Sequence, residues 1–272
     1  MKHGFALFTL ALASLLSGSA HACQVLERSY QSIAISRPEA YLLLVPDAGV
    51  PVSGVVYFLH GVGADRHFIQ QIGACAEIDR LATATGKSLM IAAPDGGNGY
   101  WMNAAHTTDK YLDLVSQELI TQVETEFPTL ERVASKRVIA GVSMGGHGAV
   151  EISIHVLGVY GAVGAHSPVF RTEVEANQGG YFNQFGAGAD YESHDPISMI
   201  QILGETFAGP VYMDMGAQDP WLTRTLQFQT LVQSLNVPGI FKVGVDAGGH
   251  ENGYWQAQMP AYMNWYFAQL NR

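Results

Sequence analysis

Short apolar runs and longer segments with helical periodicity alternate along most of the chain. The apolar runs predict strands at residues 41–46, 54–60, 88–95, 137–143, 161–168, 210–216 and 240–246. Apolar residues three or four positions apart predict helices near residues 67–86, 109–127, 145–158, 222–235 and 257–270. Residues 169–208, rich in Gly, Asn and aromatics, predict an irregular cap over the strand ends. The later strands are continuously apolar, which favours a single, mostly parallel, doubly wound α/β domain with helices on both faces.

The first 22 residues have the pattern of a cleavable signal peptide. A basic start precedes an apolar run at residues 5–16, and "AHA" at residues 20–22 has the form of a signal-peptidase site. The run is short for a membrane span, and no later segment is long enough for one either. We therefore expect residues 23–272 to form one secreted or periplasmic domain. A lipid anchor on Cys23 is the alternative, although the residues before it make a poor lipobox.

Composition and charge narrow the classes of partner. Hydrophobic residues make up 48% and charged residues 14% of the chain, as in globular proteins. Removing the leader takes away Lys2 and no acidic residue, which leaves 13 basic and 24 acidic residues. Such a surface repels phosphate backbones, so we expect no nucleic-acid partner. The chain has no CxxC, HExxH or Walker pattern, and we expect neither a metal nor another cofactor.

Cys23 and Cys75 both follow the predicted leader. In an oxidising compartment a single pair of cysteines favours a disulfide over a metal site or a reactive thiol. We expect the two to be bonded, with two free thiols as the alternative.

The stretch "IAGVSMGGHGAV" at residues 139–150 contains a candidate nucleophile. Ser143 follows a predicted strand and precedes a predicted helix, with Gly141 and Gly145 on either side. A nucleophile elbow needs glycines there because side chains would collide in so tight a turn. The helix N-terminus also favours a developing anion. The alternative is an ordinary hydroxyl at a helix start, and the motif alone does not decide.

A serine nucleophile needs a base, and the base needs an orienting carboxylate. In this type of fold the expected chain order is serine, acid, histidine, each just past a strand. Asp219 in "VYMDMGAQDPW" and His250 in "KVGVDAGGHENGYW" satisfy that order. Asp246 is the alternative acid, whereas Asp214 lies inside its strand and is expected to be structural.

The remaining histidines of interest are expected to support the site or the core. His147 lies on the predicted elbow helix, and His60 ends a strand before the first loop. We interpret both as structural. His155 and His166 fit ordinary packing or surface positions, although His166 ends a strand and could approach the site.

Two backbone amides are candidates for an oxyanion hole. The elbow supplies the N–H of Met144, and the loop "FLHGVGAD" at residues 58–65 supplies the N–H of Val62, with Gly63 as its alternative. A glycine-rich turn without a catalytic role is the other interpretation of this loop.

Five aromatic residues fall in loops at the edge that carries these candidates. We expect them to line a substrate cleft, since aromatic rings suit apolar, planar or sugar ligands: Tyr100, Trp101, Trp221, Tyr254 and Trp255. The alternative for Trp221 and Trp255 is packing against the first turns of their helices.

These motifs together resemble the esterase D branch of the α/β-hydrolases, which includes S-formylglutathione hydrolases, antigen 85-type mycolyltransferases and secreted feruloyl or acetylxylan esterases. The matching pieces are "LHGVGAD", "APDGG", "ELITQVETEF", "AGVSMGGHGAV", "SHDPI", "GAQDPWL" and "GGHENGYW". They follow the family's order along essentially the whole chain after the leader. The resemblance implies Ser143, Asp219 and His250 as nucleophile, acid and base. It implies Met144 and Val62 as oxyanion donors.

The resemblance implies a secreted serine carboxylic-ester hydrolase that acts through an acyl-enzyme. We expect short-chain or aromatic acyl esters as substrates, either small molecules or esters linked to a polysaccharide. Formylglutathione is an unsuitable substrate for an exported chain, because its hydrolases work in the cytosol and have a different oxyanion loop. Two alternatives stay open. One is an acyltransferase of the antigen 85 type, although nothing marks a trehalose or mycolate site, and the other is a non-catalytic binding protein on the same scaffold.

Overall fold

The computed structural model describes residues 22–104, 107–178, 184–203, 207, 209–237, 239 and 243–272. All of the predicted leader except Ala22 therefore lies outside the described residues. The same holds for parts of the predicted cap (179–183, 204–206 and 208) and of the last predicted strand (240–242).

In the described part of the chain, eight strands form one sheet in the order β1-β2-β4-β3-β5-β6-β7-β8. Their bounds are β1 Gln24–Gln31, β2 Pro38–Val45, β3 Val52–Leu59, β4 Ser88–Pro94, β5 Arg137–Val142, β6 Ala162–His166, β7 Val211–Gly216 and β8 Gly244–Asp246. The β1–β2 and β2–β4 pairs are antiparallel, and the five other pairs are parallel. The predicted mostly parallel sheet is confirmed, but the first antiparallel strand was not predicted.

Helices cover both faces of this sheet. Their bounds are α1 Phe68–Gln71, α2 Ala74–Thr85, α3 Tyr111–Asp113, α4 Ile120–Glu126, α5 Met144–His155, α6 Glu173–Ala176, α7 Ala189–Glu192, α8 Pro196–Leu203, α9 Leu222–Ser234 and α10 Asn252–Leu270. A π-helical segment, Leu114–Leu119, joins α3 to α4. The described part of the predicted irregular cap contains three of these helices, α6 to α8. The prediction missed them because each is short, and α6 relies on a local capping box between Thr172 and Glu175.

Alternate residues of each central strand pack into opposite cores. On β3, Val56 and Phe58 join the core under α2 and α10, whereas Tyr57 and Leu59 join the core under α4, α5 and α9. This follows from the two-residue period of a strand, which sends neighbouring side chains to opposite faces. All of α5 except His155 is buried. The carboxyl ends of β3, β5 and β7 are therefore fixed between two packed layers.

A disulfide joins Cys23, which precedes β1, to Cys75 in α2. The predicted bond is thus present, and it ties the start of the outermost strand to the helix that follows the β3 loop. Among the described residues, no helix is both long and apolar enough to cross a membrane.

Candidate active site

Ser143 occupies the turn between β5 and α5 with φ 57° and ψ −118°. A non-glycine residue adopts such a backbone only where its surroundings enforce it, at a cost of about 1–3 kcal/mol. The Ser143 N–H donates to the carbonyl oxygen of His166 at 2.9 Å. A Cβ on Gly145 would run into the carbonyl of Leu59, and one on Gly141 would lie 2.5 Å from the carbonyl carbon of Gly145. The turn forms an elbow because Gly141 and Gly145 let the end of β5, the start of α5 and the end of β3 pack closely together.

Ser143, His250 and Asp219 form a continuous chain of hydrogen bonds. The Ser143 Oγ lies 2.8 Å from the His250 Nε2, and the His250 Nδ1 lies 2.8 Å from the Asp219 Oδ2. Because the carboxylate only accepts, the shared proton belongs to Nδ1 and leaves a lone pair on Nε2 for the serine proton. The Asp219 side chain is fully buried, and its Oδ1 accepts the N–H of Trp221 at 2.9 Å. The arrangement suits proton transfer from the serine.

The two other aspartates lie elsewhere. Asp246 is exposed on β8, where its backbone carbonyl accepts the N–H of Ala217 at 2.7 Å. Asp214 is buried on β7 and bonds to residues beneath the site. Of the candidate acids, it is Asp219 that contacts His250.

The loop after β3 brings backbone amides towards the elbow. A Cβ on Gly61 would lie 3.1 Å from the Ser143 Cβ, so the loop approaches as closely as a glycine permits. The Gly63 N–H already donates to the Asn98 Oδ1 at 3.0 Å. The Val62 N–H has no acceptor in the described part of the chain. Since the N–H of Met144 begins α5, Val62 and Met144 offer the free amides beside Ser143.

A cleft of about 390 Å³ opens at Ser143 and His250. It is lined by Gly61, Val62, Gly63, Ala64, Phe68, Gln71, Val142, Ser143, His250, Glu251, Asn252 and Trp255. The Trp255 ring packs edge-on against the His250 imidazole at 5.1 Å and against Phe68 at 5.7 Å between ring centroids. Phe68 was not predicted, because nothing in its short helix distinguishes a cleft residue from a core residue.

Three of the five predicted substrate-binding aromatics are buried and do not line this cleft. Tyr100, Trp101 and Tyr254 are 1%, 0% and 3% exposed. Positive φ angles of 54° and 64° at Tyr100 and Trp101 accompany their burial, and the Trp101 Nε1 donates to the His60 carbonyl at 3.2 Å. The Tyr254 hydroxyl donates to the Asp214 Oδ2 at 2.7 Å.

The other two predicted aromatics, Trp255 and Trp221, differ in their position relative to the cleft. Trp255 lines the cleft, while its Nε1 donates to the Ser167 Oγ at 3.0 Å. Trp221 is half-buried and lies outside the cleft lining, with the Arg171 guanidinium 4.6 Å from its ring centroid. Trp221 packs against the core at the start of α9 and does not line this cleft.

A buried polar cluster supports the floor of the site. The Asp214 Oδ2 accepts the hydroxyls of Tyr254 and Tyr262, both at 2.7 Å, and its Oδ1 lies 2.6 Å from the His166 Nδ1. The His166 Nε2 contacts the Tyr266 hydroxyl. Burial and the Asp214 carboxylate raise the pKa of Tyr254 and Tyr262, so both remain donors. This cluster joins β6 and β7 to α10. Ser143 bonds to the His166 carbonyl at the end of β6, and His250 lies just before α10.

A second polar cluster supports the loop after β3. The buried His60 donates from Nδ1 to the Gly61 carbonyl at 2.8 Å and accepts the Gly96 N–H on Nε2 at 3.0 Å. Burial lowers the pKa of His60, which keeps the ring neutral, as both bonds require. His60 therefore holds the loop through both of its ring nitrogens, in agreement with the structural role expected for it.

Glu39 and Asp95 anchor the other side of this loop. The Glu39 Oε1 accepts the N–H of Asp95 at 2.8 Å, and the Asp95 carboxylate accepts the backbone N–H and the guanidinium of Arg66 at 2.8 and 2.6 Å. Burial raises the pKa of Glu39 to about 8. The carboxyl is therefore held in its neutral form over much of the physiological pH range.

Comparison with known proteins places the chain in a family. Residues 27–266 match the Esterase family. Over 230 residues the chain is 26% identical to the S-formylglutathione hydrolase of Arabidopsis thaliana. The match covers 75% of this chain and 77% of the hydrolase.

Solved structures share the fold. FphF, a fluorophosphonate-binding serine hydrolase of Staphylococcus aureus, superposes with a TM-score of 0.77 at 20% identity, covering 90% of this chain and 99% of that one. A ferulic acid esterase superposes with a TM-score of 0.73 at 20% identity, covering 91% and 98%. The chain belongs to the Esterase family, and it is a carboxylesterase of the esterase D branch of the α/β-hydrolases.

Proposed function

We propose that this carboxylesterase is exported and hydrolyses short-chain or aromatic acyl esters through an acyl-enzyme on Ser143. The observation that carries the proposal is the hydrogen-bonded chain of Ser143, His250 and Asp219 at an open cleft, with both contacts at 2.8 Å. A nucleophile, a neutral imidazole and a buried carboxylate in this order are what acyl transfer requires.

In the proposed cycle, His250 accepts and then donates a proton, first as the acyl-enzyme forms and again as it is hydrolysed. His250 takes the proton of the Ser143 hydroxyl as the oxygen attacks the ester carbonyl, and the amides of Val62 and Met144 stabilise the oxyanion. His250 then donates that proton to the leaving alcohol, and the acyl group stays on Ser143. Water, deprotonated by His250, attacks the acyl-enzyme and releases the acid. Asp219 keeps the imidazole in the tautomer that has its free lone pair on Nε2 throughout.

The cleft supports the substrate class. Its volume of about 390 Å³ lies near the small end of ligand pockets in general, so it suits a short or planar acyl group. The edge-to-face pair of Phe68 and Trp255 offers an aromatic wall beside the base. One structural neighbour is a ferulic acid esterase, which acts on an aromatic acyl ester. The proposed substrates are small esters and esters attached to a polysaccharide.

Export is supported by the predicted leader and by the Cys23–Cys75 bond. Disulfides persist in oxidising compartments, which include the periplasm and the exterior of the cell. Both observations support the proposed secreted or periplasmic location.

Replacement of the proposed catalytic groups tests this function. We expect Ser143→Ala to lose labelling by a fluorophosphonate probe while it keeps the circular dichroism spectrum of the wild type. Asp219→Asn should lower kcat about 10⁴-fold because the imidazole tautomer is lost. The matched control is Asp246→Asn, which makes the same change at an exposed carboxylate and should retain activity. Labelling of Ser143→Ala, or a larger loss in Asp246→Asn than in Asp219→Asn, would overturn the assignment.

A panel of p-nitrophenyl esters from acetate to palmitate, assayed beside methyl ferulate and acetylated xylan, tests the substrate class. We expect the highest kcat/KM for short or aryl acyl groups. Fastest turnover of palmitate would contradict the proposal and indicate a lipase.

A further inference from the structure

A buried carboxylate lies among three histidines on the far end of the elbow helix, outside the cleft. Glu151 is fully buried on α5, and His147 and His155 flank it four positions before and four positions after. Residues at that spacing share one face of a helix. His194, in the turn between α7 and α8, faces them from the cap. A buried charge needs partners, and all of these partners are imidazoles.

The two oxygens of Glu151 have different surroundings. Oε2 lies 3.2 Å from the Nε2 of His147, whose other ring nitrogen lies 3.2 Å from the Val169 carbonyl. Oε1 lies 2.7 Å from the Nδ1 of His194 and 3.9 Å from the Nε2 of His155. His147 thus fixes the carboxylate from behind, and Oε1 points between two nitrogens. Metal sites commonly have such a hydrogen bond behind the ligating carboxylate.

We propose that Glu151, His155 and His194 bind a divalent transition-metal ion, with Zn²⁺ as the best match. Their three ligand atoms lie within 4.8 Å of one another. Tetrahedral Zn²⁺ with bonds of about 2.0–2.1 Å separates its ligand atoms by about 3.4 Å. The two Glu–His separations, 2.7 and 3.9 Å, bracket that value, and the His–His separation is at most 4.8 Å, so closure around the ion changes no separation by more than about 1.4 Å. Two imidazoles and one carboxylate also form a known zinc ligand set.

The site has a route to solvent and one open coordination position. The His155 side chain is 33% exposed and borders a surface pocket of about 380 Å³. Its Nε2 lies 3.1 Å from the carbonyl of Ser193 and 3.9 Å from the Glu151 Oε1, so ion binding would replace the first contact. Without the ion, the His155 Nε2 and the His194 Nδ1 donate to the Ser193 carbonyl and to Glu151, so binding would displace these two protons to the other ring nitrogens or to solvent. The fourth ligand would then be a water molecule from the pocket.

Such an ion would connect the cap to the elbow helix, since Glu151 and His155 belong to α5 and His194 to the turn before α8. The ligands come from segments about forty residues apart, and the sequence has no metal motif at these positions. That is why the sequence predicts no metal. The proposed site is separate from the cleft, so it does not depend on the function assigned to Ser143.

Calorimetric titration of the untagged protein with Zn²⁺ tests the proposal, with the visible spectrum of the Co²⁺ form as a second readout of tetrahedral coordination. We expect one equivalent to bind to the wild type and to Ser143→Ala, and His155→Ala to weaken binding at least tenfold. The matched control is His67→Ala, which removes a part-exposed histidine elsewhere and should bind as the wild type does.

A thermal scan supplies a measurement that does not depend on heat of binding. Zn²⁺ at a hundredfold excess over Kd should raise the Tm of the wild type by about 5–10 °C and raise that of His155→Ala much less. The absence of binding to the wild type, or equal Kd values for the wild type and His155→Ala, would overturn the proposal.

Discussion

Removal of the Cys23–Cys75 bond should cost the fold about 4 kcal/mol. The bonded residues are 52 positions apart, and closing a loop of that length in the unfolded chain lowers its entropy by about 14 cal/mol/K. The loop contains β1, β2, β3 and α1, so the bond restrains a large part of the unfolded ensemble. For a domain of this size each kcal/mol corresponds to about 2–4 °C, and the expected decrease in Tm is about 8–16 °C.

The assay compares oxidised and reduced wild-type protein with the double variant Cys23→Ala/Cys75→Ala. Guanidinium unfolding gives the free energy, and thiol titration of the unreduced protein should find no free thiol. Reduction leaves packing around the sulfur atoms nearly unchanged, which separates the entropic effect from any cavity in the alanine variant. A difference below about 1 kcal/mol between the oxidised and reduced forms would refute the reasoning. It would mean that the unfolded chain already keeps these segments together.

Two further predictions concern the supports of the site. Burial raises the pKa of Glu39 from its unfolded value of 4.5 to about 8, so its stabilising contribution is complete below pH 4.5 and is lost as the pH rises through 8. Urea unfolding at pH 5 and at pH 9 measures how far the free energy of unfolding decreases between the two. This decrease should be roughly 2–4 kcal/mol smaller for Glu39→Gln than for the wild type, and equal decreases would contradict the reasoning. Gly145→Ala should abolish esterase activity, because its Cβ collides with the Leu59 carbonyl. The control Gly253→Ala meets no atom within 4 Å and should stay active, whereas full activity of both variants would refute the elbow geometry.

The sequence predicts the central strands well because burial on both faces makes them continuously apolar. Strand β1 was missed for the opposite reason. Its inward positions are Leu26, Arg28 and Tyr30, all half-buried, and its other residues are exposed. Arg28 forms a salt bridge to Glu126 at 2.7 Å, so a charged side chain occupies a position where the pattern requires an apolar one. Nothing local reveals that partner, which lies 98 residues away.

The order of Ser143, Asp219 and His250 in the sequence anticipates their meeting at one edge, because the carboxyl ends of parallel strands converge there. The direction of a side chain in a loop is not fixed by that rule. Tyr100 and Trp101 follow β4 as expected, yet both side chains are buried in the core. Loop position therefore predicts proximity to the site, but exposure to the cleft depends on backbone angles that the sequence does not display.

Ser143 and His250 are supported unequally by the sheet. Ser143 follows β5, which is paired on one side with β3 and on the other with β6. His250 follows β8, which in the described residues pairs only with β7, over three positions at the edge of the sheet. In terms of local opening, amide hydrogens near Ser143 should exchange only when the whole domain unfolds, whereas those near His250 should be released by smaller fluctuations. These pairings predict that Ser143 stays in place while His250 shares the greater freedom of the sheet edge, and that the site is first lost by separation of His250 from Ser143.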